Sequence, residues 1–261
     1  MMEDVRVVRE MRGVARVILA RAAKHNAMSA EMMAQIVAAA QELAKDEAVR
    51  VVVLEAEGPT FCAGGDLAWM REQFGMAPDA RRRESARIAE ALGALHDLPQ
   101  PLIGRLQGNA FGGGIGLISV CDVTIGVETA KLALTEVKLG LIPANIGPYV
   151  VARMGATAAA RIFMNGRVFG APEAVTLGLL SRAVPAEDLD AAVEAEVAPY
   201  LACAPGAVRD AKRLLRRLSG GVRQDDVEMA VDALAARWET AEAQEGIAAF
   251  FDKRPAPWAE G

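Results

Sequence analysis

Gln-Gly-Asn-Ala-Phe-Gly-Gly-Gly-Ile-Gly-Leu-Ile-Ser-Val-Cys-Asp, residues 107–122, is the stretch on which the reading of this chain turns. A short, mostly apolar run leads into it over residues 101–106. Three glycines then stand together at Gly112, Gly113 and Gly114, followed by a segment apolar enough for a buried helix. Adjacent glycines cost backbone entropy on folding. A chain carries them where something approaches the main chain closely or where a turn needs unusual dihedrals. A helix starting here would present N–H groups without intrahelical acceptors at the positive end of its dipole. The dinucleotide fingerprint fails, because counting from Gly112 puts Leu117 where the third glycine belongs. A P-loop fails too, since the chain has no Gly-Lys-Ser/Thr triplet. Two readings of these residues remain: a packing turn, or a turn that binds an oxyanion.

Upstream, residues 51–56 (Val-Val-Val-Leu-Glu-Ala) are the nearly continuous apolar run of a strand covered on both faces. A second glycine loop follows over residues 58–67, Gly-Pro-Thr-Phe-Cys-Ala-Gly-Gly-Asp-Leu, again ahead of a helical pattern. Before it, residues 5–10 and 14–20 read as a hairpin about Arg12-Gly13, and residues 21–28 as a loop. Ser29 is placed to cap a helix reaching about Lys45, with Met32, Ile36, Ala40 and Leu43 on one face. Strand and helix alternate in this way, which points to βα units and a largely parallel sheet. Ligands gather outside the carboxyl ends of such strands, so the two glycine loops are expected to face one pocket.

Downstream, residues 76–80 read as a connection and 81–95 as a helix whose Arg81-Arg82-Arg83 run faces solvent. A strand is expected over 122–127 and a short strand or extended piece over 132–140. Two prolines and a glycine make 141–149 a loop. Beyond residue 156 nearly everything reads as helix, with 182–184 as a strand candidate. The helix over 208–218 sets Leu214, Leu215 and Leu218 opposite Lys212, Arg213, Arg216 and Arg217. That is an ordinary amphipathic pattern; the alternative is a basic face beside the phosphates of a large anionic ligand.

At 261 residues the chain fits one large domain, or one with a small appendage. Its 52% hydrophobic but 5% aromatic content implies a core of Ala, Val, Leu and Met. A net charge of -5 argues against nucleic acid as the main partner. The opening Met-Met-Glu-Asp-Val-Arg has no apolar leader, and no run reaches the length of a membrane span. Cys62, Cys121 and Cys203 lie far apart, as suits a reducing cytoplasm, and two histidines with no cysteine nearby make a zinc site unexpected.

With these residues laid out, the chain resembles the crotonase (enoyl-CoA hydratase/isomerase) superfamily across essentially its whole length. Residues 21–28, Arg-Ala-Ala-Lys-His-Asn-Ala-Met, resemble the family's Arg-Pro-x-x-x-Asn-Ala-Leu loop, with Ala22 in place of proline. Residues 61–67 resemble its Phe-x-Ala-Gly-x-Asp-Leu loop, and residues 108–114 with Cys121-Asp122 its second oxyanion element. Residues 135–143 resemble the segment that carries a catalytic glutamate.

The resemblance implies an α/β fold: a ββα spiral over residues 1–185, followed by a helical part, residues 186–261, used in trimer packing. Such trimers commonly pair into hexamers. The ligand would be an acyl-CoA thioester, with coenzyme A entering as part of the substrate and no separate cofactor or metal. Lys24, His25, Cys62, Gly64, Gly65 and Asp66 would hold it, with Leu67, Gly112, Gly116 and Pro143 also at the substrate. The N–H groups of Ala63 and Gly113 would form the oxyanion hole, and Glu136 would move the proton. Physically, a thioester makes its α-carbon acidic only if the developing enolate oxygen is stabilised. Preorganised amides do this without reorganising, and loss of one donor costs on the order of 100-fold or more. A positioned carboxylate then suffices for proton transfer.

The chain departs from the family at its second glutamate, where it has Gly116. A lone glutamate allows hydration of an enoyl-CoA or Δ3-Δ2 isomerisation, and a non-catalytic acyl-CoA binder is a third reading. The Gly112 stretch together with Glu-Val-Lys-Leu-Gly-Leu-Ile-Pro-Ala looks most like bacterial hydratases of the methylglutaconyl-CoA type used in leucine breakdown, which places hydration first. An anionic acyl tail would want a basic group in the pocket, and the sequence identifies none.

Overall fold

The computed structural model describes residues 3–259. Met1 and Met2 of the N-terminal reading, and Glu260 and Gly261 at the end of the 186–261 part, lie outside the described residues. The chain opens with the expected hairpin, β1 (Val5–Glu10) antiparallel to β2 (Val14–Leu19). Ser29 caps α1 (Ala30–Lys45), its hydroxyl accepting from Met32 N at 3.1 Å.

A repeated passage then begins. β3 (Val51–Ala56) and β4 (Thr60–Cys62) lead to α2 (Leu67–Gln73) and α3 (Pro78–His96). β5 (Leu102–Leu106) and β6 (Asn109–Phe111) lead to α4 (Gly113–Ser119). β7 (Val123–Val127) and β8 (Lys131–Ala133) lead to a 3-10 turn, Glu136–Leu139. Each passage gives one strand to each of two sheets. The chain continues through α5 (Gly147–Met154), α6 (Ala156–Phe163), β9 (Phe169–Gly170), α7 (Ala171–Thr176) and β10 (Arg182–Val184). The larger sheet has the order β1-β2-β3-β5-β7-β10 and the smaller β4-β6-β8-β9. Pairing is parallel except at β1 and β9. The α/β class and the ββα repeat are as expected from sequence. Val51, Val52, Val53 and Leu54 are fully buried, the covered strand their composition implied.

Four helices complete the chain: α8 (Leu189–Leu201), α9 (Pro205–Leu218), α10 (Gln224–Trp238) and α11 (Ala241–Phe251). A second apolar cluster ties α10 and α11 to the 141–146 loop through Leu141, Ala144, Leu234, Trp238, Ala243 and Ile247. Gly246 of α11 lies so close to the Leu139 carbonyl that a Cβ there would sit 2.5 Å from it. The last helix thus braces the turn that carries Glu136. Among the described residues no helix is long and apolar enough to cross a membrane.

Several local expectations are corrected. α3 begins at Pro78, three residues before the expected start, because proline at the first helical positions removes an N–H that has no acceptor anyway. Arg81 does not face solvent. It is 8% exposed, and its guanidinium bonds to the carbonyls of Gln73 and Met76 at 2.9 Å each and pairs with Glu239. The expected extended piece over 132–140 ends at Ala133 and tightens into the 3-10 turn. α9 does not turn its leucine stripe onto this chain, and Arg213 and Arg217 are exposed along with it. Leu214, Leu215 and Leu218 are exposed, while Lys212 is buried, bonded to the Gln100 carbonyl at 2.7 Å and paired with Asp122. Asp122 also accepts from Leu102 N at 2.7 Å, so it is a fixed anion on the core surface that draws the lysine inward.

Candidate active site

The two glycine loops meet. The first, following β4, is stitched to residues 25–28. Met28 N donates to Gly64 O at 2.8 Å and Asp66 N to Met28 O at 3.0 Å, an isolated parallel bridge opposite Gly65. In a parallel bridge the residue between those two bonds turns its own amide away from that partner. Asn26, fully buried at φ +52, holds the loop's base by donating to Glu57 O and Thr60 O, both at 2.8 Å. The second loop turns at Gly112, whose φ of +47 suits glycine. A Cβ at Gly114 would lie 2.7 Å from Cys62 O, so the loops pack only because that side chain is absent.

Three adjacent amides of the first loop have different fates. Ala63 N donates to His25 O at 3.0 Å, and Gly64 N to Cys62 Sγ at 3.5 Å. Gly65 N has no acceptor among the described residues, and neither does Gly113 N at the start of α4. The expectation for Ala63 is therefore corrected: its N–H is already committed to a carbonyl. The unpaired amides at this junction are those of Gly65, Gly113 and Gly114, of which Gly65 and Gly113 border the cavity.

Both residues line a cavity of about 380 Å³, together with Ala63, Gly64, Leu67, Gly112, Glu136 and Pro143. Cys62, Asp66, Gly116, Lys24 and His25 do not line it. Lys24 and His25 are exposed on the 3-10 turn at the outer edge of the first loop, where His25 Nδ1 lies 3.1 Å from Thr60 Oγ1. Burial pushes the Cys62 thiol up to about 12, so it packs and does not react as a thiolate. Asp66 caps α2, accepting from Ala68 N at 2.8 Å and Trp69 N at 3.1 Å, and pairs with Arg21 at 2.6 Å. Burial opposes its charge, yet Arg21 and the two amides hold its carboxyl below the usual range. At Gly116 a Cβ would lie 2.7 Å from Ile146 Cγ2 and 2.8 Å from Leu92 Cδ1. The position of the missing second glutamate is filled by apolar packing.

Glu136 opens the 3-10 turn with its carboxylate against the glycine turn; a Cβ at Gly112 would sit 3.0 Å from Oε1. Its Oε2 is buried without a hydrogen-bond partner among the described residues. Burial raises the acid from an ordinary 4.5 to about 7, against a weak opposing bond from its own amide. The remaining wall is supplied by residues the sequence reading did not select. Trp69, Met70 and Gln73 come from α2, Ser85 and Ile88 from α3, and Asn145 from the 141–146 loop. Leu234 and Trp238 of α10 and Phe250 of α11 close it. Only the proline- and glycine-rich composition of residues 141–149 hinted that a loop there had work to do.

The model of the enoyl-CoA hydratase/isomerase family matches residues 9–261. A Thermus thermophilus protein provisionally named an enoyl-CoA hydratase is 36% identical over 248 residues, 93% of this chain and 96% of that one. Human mitochondrial methylglutaconyl-CoA hydratase is 30% identical over 255 residues, 94% of this chain and 74% of that protein. The crystal structure of an enoyl-CoA hydratase from Mycobacterium avium matches with a TM-score of 0.84 at 31% identity, covering 99% of this chain and 100% of that chain. Identity to the human methylglutaconyl-CoA enzyme is lower than to the Thermus protein, so the methylglutaconyl type is not singled out.

Proposed function

Because the chain belongs to the enoyl-CoA hydratase/isomerase family, we propose that it adds water across the 2,3 double bond of a short or branched enoyl-CoA. Glu136 is the acid/base, and the Gly65 and Gly113 amides are the oxyanion hole. The carrying observation is a buried carboxylate oxygen without a partner, in one cavity with two unpaired main-chain amides. The thioester oxygen accepts from the two amides. Ionised Glu136 takes a proton from water as the water oxygen bonds to C3, and the π electrons move onto the thioester oxygen. The enolate collapses, and protonated Glu136 returns the proton to C2. An acid near 7 suits a group that must take and give one proton at neutral pH.

A second reading is favoured by the filled position at Gly116: with no second acid, Glu136 carries a proton from C2 to C4 of a 3-enoyl chain. The two separate by mass. On incubation with crotonyl-CoA the product gains one water and the enoyl thioester absorbance falls. Binding of crotonyl-CoA and of a branched enoyl-CoA without any mass gain would end the hydratase reading. Conversion of a 3-enoyl-CoA at constant mass would then install the isomerase. The same family reading takes residues 186–261 as a trimer-packing part, supported by the exposed Leu214, Leu215 and Leu218 on α9. Sedimentation at three times the chain mass, or six, is the expected result.

A further inference from the structure

Apart from Glu136, three polar side chains on the cavity wall are buried with an atom bonded to nothing. Gln73 is 1% exposed, Ser85 3% and Asn145 4%. Gln73 Oε1, Ser85 Oγ and Asn145 Oδ1 have no hydrogen-bond partner among the described residues. The three come from different elements, α2, α3 and the 141–146 loop, and all line the same cavity as Glu136. A buried polar atom left unpaired costs more than an ordinary hydrogen bond contributes, so this cluster implies a polar ligand beside it.

Their orientations are set from behind. Asn145 Nδ2 donates to Ser85 O at 2.6 Å, which fixes the amide and leaves Oδ1 as an acceptor. The main-chain carbonyl of Gln73 is held by Arg81 at 2.9 Å, while its side-chain amide makes only a 3.5 Å contact to Trp69 O. The Ser85 hydroxyl rotates to donate or accept. The wall therefore needs at least one donor from the ligand. A carboxylate offers acceptors only and would meet the Asn145 Oδ1 lone pairs, and the one cation on the wall is exposed and screened by solvent. Lys138 also lines the cavity but is exposed, its stem lying along Gly166, and Arg81 is already paired with Glu239. Met70, Ile88, Leu141 and Ile142 cover the rest of the wall with apolar surface.

We propose that the acyl group this enzyme takes carries a hydroxyl, which gives its proton to Asn145 Oδ1 and accepts from Ser85 Oγ. The wall then selects hydroxyalkyl thioesters over plain alkyl chains and over carboxylate-terminated ones. This rests on the acyl-CoA reading above, and binding separates the two. Saturated thioesters that cannot react serve as probes in calorimetry: 5-hydroxypentanoyl-CoA and 4-hydroxybutanoyl-CoA against hexanoyl-, pentanoyl- and glutaryl-CoA. At least one hydroxyacyl thioester is expected to bind about tenfold or more tighter than its alkyl counterpart and than glutaryl-CoA, since a site built around polar groups rejects the analogue that leaves them unpaired. Ser85→Ala, which keeps the Asn145 contact to the Ser85 main chain, and Asn145→Val are each expected to shrink that preference. Equal binding of all probes, tightest binding of glutaryl-CoA, or a preference untouched in both variants overturns the proposal and leaves the acyl-CoA reading standing. No binding of any probe overturns both.

Discussion

Asp66 and Glu136 are two acids in the two segments that frame one cavity, and they are treated in opposite ways. Asp66 has every attraction an acid can gather at a helix start: two amides at 2.8 and 3.1 Å and the Arg21 guanidinium at 2.6 Å. Its charge is held below the ordinary carboxylate range and serves to seat α2 and the first glycine loop. Glu136 is buried at Oε2, but that oxygen has no partner among the described residues and burial lifts the acid to about 7. One acid stabilises the frame. The other is a local instability at the point where the proposed reaction moves a proton.

The sharpest way to break this contrast is to remove each charge and compare rates. Glu136→Gln is expected to lower kcat about a thousandfold, in the range for loss of a general acid/base, with CoA-thioester affinity nearly unchanged. In the unaltered enzyme kcat/KM should fall about tenfold per pH unit below 7, because the reaction begins with the ionised form. Steady-state rates across pH check both. A loss of the same size in Asp66→Asn would mean that the two acids do not divide the work as argued.

The next effect concerns the place where a second acid is absent. Gly116→Glu would restore the family's glutamate in the sequence, yet its Cβ alone meets Ile146 and Leu92 at under 3 Å. Overpacking and an unpaired buried carboxylate together are expected to destabilise the fold by about 3 kcal/mol or more, without raising the hydration rate. Denaturant midpoints and crotonyl-CoA turnover of the same preparation test this. A stable, faster variant would show that the cavity can open toward Gly116.

How far the sequence could be read follows from how local each signal was. The covered strand at residues 51–56, the Ser29 cap and the loops about Gly64 and Gly113 are legible because each depends on its own neighbours. Glu136 was selected by its motif, but its burial depends on α11 pressing Gly246 onto Leu139 more than 100 residues later. Whether the Ala63 or the Gly65 amide is left without an acceptor rests on which one the residue 25–28 segment captures, and no composition reports that. The inward turn of Lys212 on α9 has the same origin: the pattern is merely amphipathic, and the half-buried Asp122 decides that this one cation turns in. Gln73, Ser85 and Asn145 carry no sequence signal because each is an ordinary polar residue until three elements converge.

Stability against pH sharpens the comparison further. Glu136 is raised from 4.5 to about 7 on folding, so the native state holds its proton through that window while the unfolded chain has released it. Stability from this group is therefore full below about 4.5 and is lost as pH climbs through 7. Glu136→Gln should match the parent near pH 4.5 and exceed it by about 2–3 kcal/mol at pH 8. Thermal or urea unfolding at the two pH values measures it, and a variant less stable at pH 8 would mean that the carboxylate has a partner after all.

The smallest expected effect runs the other way. Asp66→Asn keeps a good capping residue, since asparagine serves at that position as well as aspartate, and loses only the charge facing Arg21. A loss of about 1.5–2 kcal/mol at pH 7 is expected, at the lower end of the range for a charge-assisted hydrogen bond. The folded carboxyl is depressed, so its contribution is present above the unfolded value near 4 and fades as pH falls through the folded one. Parent and variant should therefore converge in acid, where Glu136→Gln also ceases to differ from the parent, and diverge in opposite directions above neutrality. That crossing, followed by unfolding of all three proteins across pH, isolates the two acids from each other. If Asp66→Asn were instead more stable than the parent at pH 7, the Arg21 pair would be a burden on the loop, and the division between a framing acid and a working acid would fail at its better-bonded end.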